Sequence, residues 1–222
     1  MKKNKLLVVA GPSGGGKTAV TNLIAQRDPR FTFLRSATTR AKRGDGNDGE
    51  YIYLSRDEFL SLEKSGGFVE STEYNGELYG TTVEEVKRAA AEEKIPLLVL
   101  DTKGAVSLAQ RADIDACAIY AYSDLNALEE RLYLRYVGDS PTVEGITAYA
   151  KRRDRNIADY LSIEDSMDAF YSFIPNDSTL EELADNILST FDDFCKNIEK
   201  NIEQNKNAAA SLEEQAQRKS FG

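Results

Sequence analysis

The residues best suited to chemistry in this chain lie close to its start. Gly11, Gly16, Lys17 and Thr18 satisfy the pattern G-x-x-x-x-G-K-[ST]. In such a loop the backbone N–H groups face an anion, glycine allows the tight turn and close approach, and the following helix N-terminus adds partial positive charge. The run Gly11, Pro12, Ser13, Gly14, Gly15, Gly16, Lys17, Thr18, Ala19 therefore reads as a cradle for the phosphates of a nucleoside triphosphate. Lys17 is expected to bridge the β- and γ-phosphates and Thr18 to ligate magnesium. The chain contains no histidine, which removes the commonest general base and disfavours Ser-His hydrolysis. Phosphoryl transfer escapes that constraint, because it relies on positioning and charge stabilisation.

A phosphate loop works only between a strand and a helix, and the flanking residues supply both. KLLVVA at 5–10 is a short apolar run that reads as a buried parallel strand, and TAVTNLIAQ at 18–26 has apolar residues at helical spacing. Two further apolar runs, PLLVL at 96–100 and ACAIYAY at 116–122, are each followed by helical patterns, one from Ala105 and one up to Arg135. FYSFI at 170–174 and a helix from Leu180 to about Phe194 complete the set. Strands alternating with helices imply right-handed crossovers and an α/β core with a parallel sheet. The stretch from Ser36 to about Ala91, with segments such as EYIYLS and GGFVESTEYNGELYGTT, reads as an inserted lobe of short strands. YVGDSPT at 136–142 interrupts the helical pattern ahead of the cationic run KRRDR at 151–155, which reads as a mobile segment. The expected division is a three-layer core from 1–35, 92–132 and 156–195, an inserted lobe over 36–91, a helical lid over 133–155 and a polar tail over 196–222.

At 222 residues the chain suits one domain with small insertions. A net charge of −9 argues against a general nucleic-acid binder, so phosphate recognition must be local. No apolar run reaches the roughly 20 residues of a membrane span, and the start MKKNKLLVVAG is unlike a cleavable signal, so a cytoplasmic protein is expected. Cys117 and Cys195 lack metal-ligand spacing and read as packing residues.

Ser36-Ala37-Thr38-Thr39-Arg40 with Arg43, Gly49-Glu50-Tyr51, Gly67-Phe68-Val69-Glu70 and Tyr79-Gly80-Thr81 together resemble the guanylate kinase family of P-loop nucleoside monophosphate kinases. The resemblance implies a P-loop core, a lobe that binds the monophosphate, a lid, and transfer of the γ-phosphate of ATP to GMP or dGMP with magnesium. It assigns Arg40 and Arg43 to the monophosphate, with the hydroxyls of Tyr51 and Tyr79 completing that clamp. It assigns Glu70 to guanine N1 and the exocyclic amine, and Ser36 and Thr81 to the O6 side. Asp101 matches the second aspartate of the family's Asp-x-Asp and is expected to touch GMP and to reach magnesium through water. Val99 takes the place of the first aspartate, and Lys103 that of the usual glutamine. Arg135 and Arg152 fall where the family carries lid arginines, with Arg153 and Arg155 as neighbours of the second. Asn176 falls at the family's Asn-Asp turn beside adenine. ATP and GMP or dGMP are the implied partners, on a monomer or homodimer without nucleic acid or membrane. Two other readings go with the same residues: a kinase for a different or modified (deoxy)nucleoside monophosphate, and a non-catalytic interaction module of the same fold.

Overall fold

The computed structural model describes residues 4–42, 51–74, 76–111 and 113–197. In chain order the elements are β1 (Asn4–Ala10), α1 (Lys17–Arg27), β2 (Phe31–Phe33), β3 (Ser36–Thr38), β4 (Tyr51–Tyr53), α2 (Arg56–Lys64), β5 (Phe68–Tyr74), β6 (Glu77–Thr82), α3 (Val83–Ala91), β7 (Ile95–Val99), α4 (Thr102–Ala109), β8 (Ile114–Tyr122), α5 (Leu125–Tyr136), α6 (Val143–Leu161), a 3-10 helix (Ile163–Ala169) and β9 (Ser172–Pro175). A last helix, α7, covers 180–197.

Five strands form a parallel sheet in the order β2-β7-β1-β8-β9. β1 lies at its centre, and its side chains alternate between two covered faces, which is why its sequence is continuously apolar. Leu7 and Val9 join Val20 and Ile24 of α1 and Leu183, Ile187 and Phe191 of α7 in one core layer. Leu6, Val8 and Ala10 join Ala105 and Leu108 of α4, Val86 of α3 and Tyr120 in the other. Cys117 is buried in the first layer with Cys195 packed against that layer, and neither is in a disulfide.

A second, mixed sheet runs β4-β3-β6-β5. Its own small core is Ala37, Phe59, Phe68 and Leu78, with the Phe59 and Phe68 rings stacked at 4.3 Å. The lobe holds more than the short strands expected from sequence. α2 starts on a complete capping box, Ser55 with Glu58, a pairing legible in SRDE. α3 buries Val86 and Ala89 against the core sheet side. The short strand β2 is also additional to the sequence reading, three residues being too few for a period to show.

The cationic run at 151–155 lies inside α6, which is continuous from Val143 to Leu161 across the 155/156 boundary drawn from sequence. α5 ends at Tyr136, Gly138 takes a positive φ of 53°, and Thr142 caps α6. The turn residues of YVGDSPT thus link two helices. Tail residues 198–222 lie outside the described residues. Among the described residues no helix is long and apolar enough to cross a membrane.

Candidate active site

The phosphate loop leaves β1 at Gly11 and enters α1 at Lys17. Gly11 has φ 143°, and a Cβ there would lie 2.1 Å from the Ala121 carbonyl oxygen, so only glycine fits beside β8. Gly16 caps α1 with φ 76° and no side-chain hydrogen bond. Every other α-helix among the described residues has a side chain on its first amides: Ser55, Thr82, Asp101, Asp124, Thr142 and Thr179 respectively. α1 alone keeps its N-terminal amides open, the arrangement an incoming phosphate completes.

The loop is gripped from several sides. The Lys17 ammonium donates to the carbonyls of Gly11 and Pro12, each at 2.8 Å. Asn176 Nδ2 donates to the Gly15 carbonyl at 3.0 Å, and Asn176 is buried. Its side chain therefore faces the loop, where the sequence reading looks for a contact with a base. Burial pushes the Lys17 ammonium down to about 8, with Arg155 adding to the fall and Asp101 and Asp159 opposing it. A triphosphate needs this ammonium charged, so binding takes up a proton above that pH. Affinity for ATP is expected to weaken above about pH 8, by up to about tenfold per unit. Calorimetric titrations between pH 7 and 9.5 measure this, and a flat profile would contradict it.

Opposite the loop, across a cleft of 440 Å³, stand side chains of the second sheet. Ser36 of β3, Tyr51 of β4, Glu70 and Thr72 of β5 and Tyr79 and Gly80 of β6 line one wall. Gly11, Ser13, Lys17 and Thr18 line the other, and Val99, Leu100 and Asp101 close the floor at the carboxyl end of β7. The register of β5 on β6 shifts between Phe68 and Glu70, a bulge of the sort that re-aims a side chain. Val69 joins the core, while Glu70 turns into the cleft opposite Thr81. Only 5% of Glu70 is exposed, and burial drives its carboxyl up to about 6, with hydrogen bonds from Thr81 holding it back and Asp101 adding to the rise.

Arg40 follows β3 with its guanidinium 4.9 Å from the Tyr51 ring centroid and Nη2 3.5 Å from the Tyr53 hydroxyl. Its Nη1 is buried and has no hydrogen-bond partner among the described residues. A buried guanidinium N–H without an acceptor is rare in a finished structure and marks a place for an anion. Arg43 lies outside the described residues, as do Gly49 and Glu50.

α6 supplies the third wall. Arg152, Arg155 and Asp159 share one helix face at spacings of three and four and line the cleft. Sequence spacing favours Arg152, yet Arg155 is the residue that pairs with Asp101, Nη2 to Oδ2 at 2.7 Å. Asp101 also caps α4 through the Gly104 amide at 2.8 Å. The Arg152 guanidinium lies 4.4 Å from the Tyr136 ring centroid and that of Arg135 5.4 Å from it. Arg135 is exposed and stays off the cleft wall, joined to Arg152 through that ring. Ala19 is likewise exposed on α1 and does not line the cleft. Asp159, the acid seven residues after Arg152 against which the arginine spacing is read, lines the cleft, whereas Thr72 is a cleft residue that neither the loop nor the arginine spacing singles out. Thr72 could be found from strand period alone, since it is two residues from Glu70 on the same face of β5.

Thr18, Asp101 and Asp159 present hard oxygen donors to the cleft. That donor set fits a magnesium ion whose remaining ligands are phosphate oxygens and water. Among the described residues no group of three or more acidic, cysteine or histidine side chains could hold a metal ion.

The family model for guanylate kinase matches residues 3–141. A guanylate kinase of Desulfotalea psychrophila is 33% identical over 172 residues, covering 75% of this chain and 84% of that protein. One of Helicobacter hepaticus is 31% identical over 171 residues, covering 75% and 86%. Among solved structures, the guanylate kinase of Anaplasma phagocytophilum matches with a TM-score of 0.60 at 24% identity, over 85% of each chain, and shares the fold. The fold is thus shared with a solved guanylate kinase, and by the family model and these relatives the chain belongs to the guanylate kinase family.

Proposed function

We propose that this protein transfers the γ-phosphate of ATP to GMP or dGMP, giving ADP and GDP or dGDP. One observation carries the reading: the open phosphate loop and the buried Glu70 face each other across a single cleft, so a triphosphate and a guanine nucleotide can meet with their phosphates between them. Glu70 as an ionised acceptor suits the N1–H and exocyclic amine of guanine, which adenine lacks in that arrangement. Ser36 and Thr81 sit beside it for the O6 edge. Arg40, with Arg43, Tyr51 and Tyr79, holds the monophosphate.

The loop amides and Lys17 bind the triphosphate, and Thr18 with Asp101 would hold magnesium. Bound magnesium would neutralise charge on the donor phosphates. Arg152, with Arg135 behind it, stabilises charge on the transferring group, and Asn176 supports the ATP side through Gly15. Neither a covalent intermediate nor a dedicated base is needed. The lid over 133–155 and the lobe over 36–91 are the parts that close on substrates.

Turnover with ATP across GMP, dGMP, AMP, dTMP and base-modified monophosphates tests this. GMP and dGMP are expected to exceed AMP by about 10⁴-fold in kcat/KM. Equal use of AMP, or a preference for a pyrimidine, would remove the base assignment.

A further inference from the structure

Of the nineteen residues in α6, Asn156 alone is buried, with 2% of its surface exposed. Asparagine is a poor helix former, and burying its amide costs stability unless both halves are bonded. Both halves are. Oδ1 accepts from the Ser13 N–H at 2.8 Å, and Nδ2 donates to the Ser13 carbonyl at 2.8 Å. The side-chain amide thus pairs with the N–H and C=O of one residue, as a neighbouring strand would.

Ser13 is the third residue of the phosphate loop and is followed by three consecutive glycines. Glycine has the widest conformational freedom of any residue, so such a loop has many shapes in which its amides turn away from an anion. Ordering it on binding would cost affinity, and a tie made beforehand removes that cost. The neighbouring residue, Arg155, bonds Asp101 on the floor of the cleft, so one step along α6 joins the loop to that floor.

We infer that Asn156 is a positioning residue for triphosphate binding, holding the phosphate loop in its amide-inward shape from α6. The inference rests on reading this cleft as the ATP site. The helix also supplies its own control. Tyr160, one turn on, makes a tie of the same kind: its hydroxyl donates to the Ser123 carbonyl at 2.6 Å and accepts from the Ser123 N–H at 3.2 Å. Tyr160→Phe therefore loosens the same helix from the same core without touching the loop.

The test is the dissociation constant of ATP, measured by calorimetry without GMP, together with steady-state constants and melting temperatures. Asn156→Ala is expected to weaken ATP by about tenfold, the worth of one or two neutral hydrogen bonds, and to raise its KM by a similar factor. The same variant is expected to keep kcat and the KM for GMP within about twofold, while Tyr160→Phe keeps ATP affinity within about twofold despite a lowered melting temperature. Asn156→Asp keeps the shape and the acceptor but cannot donate to the Ser13 carbonyl. It is expected to weaken ATP at least as much as alanine does, and it serves should the alanine variant fail to fold. Unchanged ATP affinity in the Asn156 variants overturns the inference, as does an equal loss in Tyr160→Phe. A wild type that binds ATP but phosphorylates no GMP would remove the functional reading alone, and the Asn156 comparison would still decide the loop.

Discussion

Replacing Lys17 by alanine is expected to lower kcat/KM for phosphoryl transfer by about 10³-fold, with no loss of melting temperature. The first part follows from where the ammonium sits. It is held at the mouth of the loop by two carbonyls and lines the cleft with Asp101, Asp159 and Arg155. A cation in a water-poor cleft stabilises developing phosphate charge far more than one in water, and a single preorganised group of this sort accounts for about 10²–10³ in rate. The second part follows from the cost of keeping the charge there. Burial disfavours the ammonium, so its removal relieves the folded state even as two carbonyls lose a donor. A coupled assay and a thermal melt read both quantities. A variant that loses activity only in proportion to lost folding would contradict the assignment.

Glu70→Gln is expected to reverse the usual coupling of function and stability. The carboxylate is an acceptor facing the cleft, and the glutamine amide replaces one acceptor oxygen by a donor, which would meet the guanine amine donor to donor. The loss in kcat/KM for GMP is expected to reach about 10³-fold or more, with little gain for AMP. The folded-state carboxyl stands at about 6 against an ordinary 4.5. A raised acid pKa means that the contribution to stability is full below about 4.5 and is lost as pH rises through about 6. At 1.36 kcal/mol per unit, keeping Glu70 ionised at pH 7 costs about 2 kcal/mol. The glutamine variant is therefore expected to be more stable than the parent at pH 7 by up to that amount. The difference should vanish below about pH 4.5. Denaturant unfolding at pH 4 and pH 7, without nucleotide, checks the sign. A glutamine variant less stable at pH 7 would show that Glu70 is better partnered than its burial implies.

What could be read in the sequence was what chemistry constrains locally. The phosphate loop needs fixed residue types at fixed spacing between a strand and a helix, so Gly11 to Thr18 disclosed both the loop and the parallel sheet around it. Glu70, Tyr79 and Ser36 were singled out by the family resemblance of their short segments, and the second sheet brings those strands side by side. What could not be read were pairings fixed by the path of a distant helix. Asn156 meets Ser13 across 143 positions and Arg155 meets Asp101 across 54. Spacing along KRRDR cannot say which arginine turns inward, because that depends on how α6 is rotated on the core. Asn156, buried, and Tyr160, half-buried, anchor α6 to the core one helical turn apart, while 152, 155 and 159 line the cleft. Arg135 shows the opposite limit. Its place at the end of α5 was legible, but its association with Arg152 through the Tyr136 ring was not. Within the lobe, the signal for α2 was present in Ser55 and Glu58, whereas at the edge of the core sheet the three residues of β2 carry no period to detect.

The two carbonyls that hold Lys17 also bear on how spent nucleotide departs. Without nucleotide the ammonium rests on the oxygens of Gly11 and Pro12, each at 2.8 Å. The ammonium is thus partnered once the phosphates have left, and release exchanges one set of partners for another. The same exchange caps the affinity of the resting nucleotide complex, because the ammonium gives up good contacts to form new ones. The protein is thereby kept from clinging to either end of its reaction, and its strongest grip is left for the moment when negative charge is spread over the phosphoryl group in flight.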